Sequence, residues 1–131
     1  MAVSVRDRER VRAQAEGRCE YCRMANDWEP FFPYHVEHIV PRQHHGSDKL
    51  PNLALSCHHC NLVKGPNLTS IDPDTGIVTE LFHPRRQIWR EHFRLEGDLI
   101  SGITGVGRTT VFLLRMNAPH RVELRAANPD K

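Results

Sequence analysis

The chain has 131 residues, 39% of them apolar, and 18 basic against 16 acidic side chains, a formal net charge of +2. That length suits one domain with a modest core, and the apolar content is ordinary for a soluble globular protein. No stretch approaches the ~20 apolar residues of a membrane span, and so weak a net charge does not by itself imply a nucleic-acid partner.

Met1 to Arg12 carries a charge at nearly every second position and no apolar core segment, so it is not a secretory signal, and a cytoplasmic protein is expected. Within "VRDRERVRAQAE", good helix formers and the following Gly17 predict a helix over residues 5–17, with Val11 and Ala15 as a thin apolar stripe. "CEYC" then sets Cys19 and Cys22 at a tight spacing, and residues 24–33 form a loop bounded by Pro30 and Pro33. "YHVEHIV", residues 34–40, is rich in β-formers and predicts a strand. After the loop "PRQHHGSDKLPN", "LALS" (residues 53–56) gives a second strand, making a hairpin with a long tip. Ser56 is placed to cap a helix that begins at the second pair, Cys57 and Cys60, and ends at Gly65 before Pro66.

The second half has fewer signals. "IDPDTGIVTELF" predicts a β-hairpin turning at Pro73, Asp74 and Gly76. "HPRRQIWREHFRL" predicts a helix after Pro84, with Ile88, Trp89, His92 and Phe93 on one face. "LISGITG" is expected as a short strand, "RTTVFLLRMN" as the final helix, and "RVELRA" as a frayed strand or tail. The glycines of "GITGVG" lie at the wrong offsets for a dinucleotide site, and no glutamate closes "DPDTG" as a calcium loop.

Two C-x-x-C pairs in a cytosolic chain point to a metal before they point to disulfides. A structural Zn²⁺ takes four N or S ligands in a closed tetrahedron, and Cys19, Cys22, Cys57 and Cys60 supply four thiolates. His58 and His59 stand beside the second pair, but both thiolate pairs are already complete. The hairpin fits in the 34 residues between Cys22 and Cys57. Zinc would then add folding free energy directly, as a short chain needs.

Between the cysteine pairs stand Glu37-His38-Ile39-Val40-Pro41-Arg42, Gly46, Asn52-Leu53 and Cys57-x-x-Cys60-Asn61 running to Lys64-Gly65. This series resembles the HNH endonuclease family, in its subgroup with two zinc knuckles, over residues 19–66. The resemblance implies an α+β fold: a zinc-stabilised ββα-metal core, flanking helices and a C-terminal hairpin and helix extension (residues 67–131), all in one domain over 1–131. It implies DNA endonuclease activity, with His38 as general base, Mg²⁺ held by Glu37 and Asn61, and Asn52 pinning the loop and orienting His38. Products with 5′-phosphate and 3′-hydroxyl ends are expected, with Mn²⁺ or another divalent ion as a substitute for Mg²⁺. The chemistry suits these residue types: imidazole is basic near neutral pH, and few protein oxygens suit an ion that keeps its waters.

Adjacent strand residues point to opposite faces, so Glu37 and His38 share one ion only where the strand twists or ends. In a strand that runs on regularly, His35 shares the face of Glu37 and becomes the better base. The series departs from the family pattern at Asn61, where the name-giving third letter is His, at Gly65, which offers no second helix ligand, and at His45-Gly46, where Gly-Gly is common.

Arg42 and Lys64 are expected at DNA phosphates. Arg86, Arg90 and Arg94 recur every four residues and form one stripe on the predicted helix, either a rail for phosphates or a solvated face. The partner expected is DNA, bound by a monomer or weak dimer, with no membrane and no protein partner. Two rival readings stay open: a zinc-dependent DNA-binding module that does not cleave, and a zinc-dependent protein-interaction module.

Overall fold

The structure, a computed structural model, describes residues 3–129. It is an α+β protein whose contacts divide it into two compact units, one up to Pro66 and one from Asn67.

The first unit opens with α1 (Val5–Ala15). The Ser4 hydroxyl caps it by accepting the Asp7 amide at 3.1 Å, one of the donors a helix start leaves unpaired. Glu16 and Gly17 both turn left-handed and stop it, and Val11 and Ala15 are buried, as the thin stripe requires. Strand β1 (His35–His38) pairs antiparallel with β2 (Leu53–Ser56), His35 opposite Ser56 and His38 opposite Leu53. The first strand is shorter than the predicted 34–40, because the Asn52 side chain replaces a strand partner at Val40. Its Oδ1 accepts the Val40 amide at 2.8 Å and its Nδ2 donates to the Val40 carbonyl at 2.9 Å.

The loop between the strands closes tightly on itself. A Cβ on Gly46 would lie 1.6 Å from the Val40 carbonyl oxygen, so only glycine fits there. His45 adopts φ 67°, a left-handed conformation that costs a non-glycine residue about 1–2 kcal/mol. Helix α2 (His58–Lys64) follows β2. Its cap is Cys57 rather than the expected Ser56: the Cys57 sulfur accepts the Cys60 amide at 3.3 Å, and the Ser56 hydroxyl donates to the Cys57 carbonyl.

The second unit holds the expected hairpin, β3 (Thr69–Ile71) with β4 (Val78–Glu80). The predicted helix over "HPRRQIWREHFRL" shrinks to one turn, α3 (Trp89–His92). From Phe93 the chain becomes β5 (Phe93–Glu96), paired with β6 (Leu99–Gly102). The run Phe93-Arg94-Leu95-Glu96 also alternates with period two, and Gly97-Asp98 is a two-residue hairpin turn with Gly97 at φ 63°. Arg86 therefore sits in a turn, Arg90 on a single helical turn and Arg94 on a strand, so the three do not form one helical stripe.

Helix α4 (Gly105–Leu113) packs on α3, β3, β4 and β6. It is not the last helix, because "RVELRA", expected as strand or tail, lies in α5 (Pro119–Ala126). Proline at its first turn suits a helix start. Arg121 and Arg125, one turn apart, are both buried, and the Arg125 guanidinium donates to the Asp98 and Met116 carbonyls. The core of this unit includes Phe82, Phe93, Ile100, Leu114 and Met116. Phe82 meets Phe93 edge-on at 5.2 Å and Trp89 stacks on Phe93 at 5.0 Å. Each such large side chain contributes about 1.5–3 kcal/mol of burial.

Asp72, 2% exposed, takes Arg108 at 3.2 Å and 2.8 Å and the Asp74 amide at 3.0 Å. The guanidinium comes first in pulling its pKa down to about 2. A depressed carboxylate stabilises the fold above its unfolded pKa of about 3.9 and loses that stabilisation as pH falls through the folded value. The thermal midpoint of this unit is therefore expected to drop as pH falls from about 4 toward 2. Arg108→Ala should flatten that dependence, and an unchanged slope in the variant would assign the acid sensitivity elsewhere.

Candidate functional site

The two cysteine pairs converge. The sulfur atoms of Cys19, Cys22, Cys57 and Cys60 lie within 4.8 Å of one another, all buried. Cys22 and Cys57 stand 3.8 Å apart. A disulfide needs about 2.0 Å, whereas four sulfurs at ~2.3 Å around a tetrahedral Zn²⁺ stand ~3.8 Å from each other. Each knuckle turns an amide onto its own first sulfur, Cys22 onto Cys19 at 3.5 Å and Cys60 onto Cys57 at 3.3 Å. Hydrogen bonds to Cys19 and Cys22 lead in raising the thiol pKa values of Cys57 and Cys60, as expected of four like groups packed about one point. The cluster is placed to bind a metal and fits zinc.

The first knuckle is tied to the hairpin through Glu20, a residue without any sequence signal. Its amide donates to the Leu55 carbonyl at 2.9 Å, and its carboxylate accepts the Leu55 amide at 2.7 Å. The clamp thus grips β2 from one side while α2 and its cap Cys57 carry the other pair of sulfurs.

An open cleft of about 720 Å³ lies in this first unit, lined among others by Arg8, His35, Glu37, His38, Arg42 and Asn61. Strand β1 ends at His38, and Glu37 and His38, neighbours on the strand, both line this cleft. Glu37 is 9% exposed, and its Oε1 is buried with no hydrogen-bond partner among the described residues. Burial pushes its carboxyl above the usual carboxylate range, against the pull of the Lys64 ammonium and the Tyr21 hydroxyl. The Asn61 side chain has no hydrogen-bond partner among the described residues. An orphaned carboxylate oxygen and a free carboxamide on one cleft are a donor set that fits a hydrated, oxygen-seeking cation.

His38 has a partner that the sequence did not announce. Its Nε2 lies 2.7 Å from Asp48 Oδ1. The same oxygen takes Arg42 Nε at 3.1 Å and Nη2 at 2.9 Å. The His38 contact first, then Arg42, holds the Asp48 carboxyl below the usual range. Asp48 lies ten residues on in an irregular loop, where no periodicity could single it out. Asn52 fixes that loop: besides both Val40 backbone groups, its Nδ2 donates to the Ser47 carbonyl at 2.8 Å.

The structure brings Glu37, His38, Arg42 and Asn61 together and sets Asn52 behind them. His35, on the same strand face as Glu37, lines the cleft as well. Lys64, expected at a phosphate, is 2% exposed, and its ammonium donates to the Ile39 carbonyl at 3.1 Å. Arg86 and Arg90 belong to the second unit and are exposed.

Residues 19–67 match the family model of the HNH endonuclease. No curated relative and no solved structure matches the chain. Among the described residues, no helix is long and apolar enough to cross a membrane.

Proposed function

We propose, from an HNH endonuclease segment over residues 19–67, that this protein hydrolyses DNA phosphodiester bonds with Mg²⁺ or another divalent ion held by Glu37 and Asn61. Zn²⁺ on the four cysteines serves structure. The observation that carries the reading is the cleft itself, where an orphaned buried carboxylate oxygen, a free carboxamide and a carboxylate-bound imidazole meet. Such a metal ion, when bound, neutralises charge on the phosphate and at the departing oxygen.

His38 is the base that takes a proton from the attacking water. With Nε2–H donated to Asp48, the imidazole keeps its lone pair on Nδ1, which becomes the accepting atom. Asp48 holds the ring and compensates the imidazolium that forms, as a carboxylate does behind any catalytic imidazole. Asn52 acts one step further back by pinning the loop that carries Asp48. Arg42 and Arg8 place positive charge at the rim, where a phosphate backbone would lie. The products are 5′-phosphate and 3′-hydroxyl ends, and one site per chain makes the monomer a nicking enzyme.

Supercoiled plasmid is expected to convert to the open-circular form with Mg²⁺ and to stay intact with EDTA. Asp48→Asn should lower kcat by roughly 10²- to 10⁴-fold, up to the cost known for a carboxylate-to-carboxamide change behind a catalytic imidazole, with KM for DNA unchanged and Asp48→Glu partly restoring the rate. Salt-sensitive DNA binding without any nicking would instead identify a binding module.

A further inference from the structure

A pair of nitrogen donors at the edge of the cleft takes no part in the chemistry proposed above. His35 begins β1 and His58 begins α2, and His35 Nε2 stands 3.3 Å from His58 Nδ1. Their rings lie 5.6 Å apart at 36°. That separation has a geometric meaning. Two imidazole nitrogens bound to one tetrahedral Zn²⁺ at ~2.0–2.1 Å stand ~3.3–3.4 Å apart. An octahedral ion with the same bond lengths would bring adjacent ligands to ~3.0 Å, closer than these two are.

We propose that His35 and His58 form a second, exchangeable site for a tetrahedral divalent transition ion of the Zn²⁺ type, separate from the four-cysteine cluster. Imidazole pairs suit zinc, cobalt, nickel and copper and do not suit Mg²⁺ or Ca²⁺. The two rings are held by different rigid elements, so the pair does not have to be gathered at binding. Phe32 stacks on His58 at 5.9 Å and 23°, which limits the freedom of that ring. Among the described residues, each of the two facing nitrogens has only the other as a hydrogen-bond partner. His58 is exposed, leaving two coordination positions to water. Because His35 also lines the cleft, an ion here adds charge at its edge.

The test needs neither DNA nor Mg²⁺, so it is decided apart from the nuclease reading. Full-length protein, dialysed until only tightly held zinc remains, is titrated with Zn²⁺ by calorimetry and with Co²⁺ by visible absorption. One further equivalent is expected to bind, and Co²⁺ there should give the bands of a tetrahedral nitrogen- and oxygen-ligated ion without thiolate charge transfer. His58→Ala and His35→Ala should each weaken that equivalent by roughly tenfold or more. The exposed His58 position makes its variant safe for folding, and a thermal melt checks both. A further equivalent that is missing, or that persists unchanged in both variants, overturns the site.

Discussion

His38→Ala is expected to lower Mg²⁺-dependent plasmid nicking by roughly 10²- to 10⁴-fold, the usual contribution of a positioned general base. The loss should fall on kcat, because the imidazole accepts a proton and does not anchor the DNA backbone. Affinity for DNA, and its fall with rising salt, should match the parent. The fold should hold too: the His38 contact is with Asp48, a loop residue that keeps Arg42 as a partner. His35→Ala is the necessary companion, since His35 lines the same cleft on the same strand. It should cost far less. A larger loss in His35→Ala would move the base three residues back, and an undiminished rate in His38→Ala would remove the proposed chemistry.

The largest effect on stability is expected from the thiolate cluster. Structural Zn²⁺ contributes apparent binding free energies of about 10–16 kcal/mol in zinc-finger peptides, whereas whole domains are stable by only about 5–15 kcal/mol. Removing the ion should therefore unfold the first unit rather than loosen it. The cysteines occupy its centre, beside Tyr21, Met24, Leu53 and Leu55, all nearly inaccessible. One equivalent of zinc should survive exhaustive dialysis. A strong chelator, or Cys57→Ser, should abolish the cooperative transition of the first unit and expose the amides of Leu53 to Ser56 to rapid exchange. The second unit has no cysteine and should keep its own acid-sensitive transition. A chelated first unit that melts as before would show that the thiols pack without an ion. Nicking should vanish with the zinc even when Mg²⁺ is abundant, since the cleft is built on the hairpin and helix that the cluster joins.

Local chemistry made much of the first unit legible. A C-x-x-C pair suits a tight turn, and two of them can share an ion. Gly17 and Gly65 stop helices because left-handed or otherwise strained backbone is cheapest at glycine. The strands 35–38 and 53–56 follow from β-forming residues bounded by turn residues, and Asn52 behind the loop was found through a recurring residue series. The hairpin at 69–80 was visible in its turn residues for the same reason.

What escaped the sequence depended on partners distant along the chain. "FRLE" satisfies a helical and a strand period at once, and only the pairing of residues 93–96 with 99–102 decided between them. "RVELRA" lacks apolar spacing because its buried face is made of arginines, which can be buried only where the Asp98 and Met116 carbonyls receive the guanidinium of Arg125. Lys64 is charged and near a helix end, yet the Ile39 carbonyl and the Glu37 charge draw it inside. Asp48 meets His38 through a loop whose path is set by Gly46 and Asn52. By itself the sequence determined which groups can coordinate, turn and cap, since those properties belong to single residues and short spacings. Which carboxylate stands against which imidazole, and which charges leave the water, was decided only by the tertiary structure, because desolvation and hydrogen-bond geometry exist only between groups that folding has brought together.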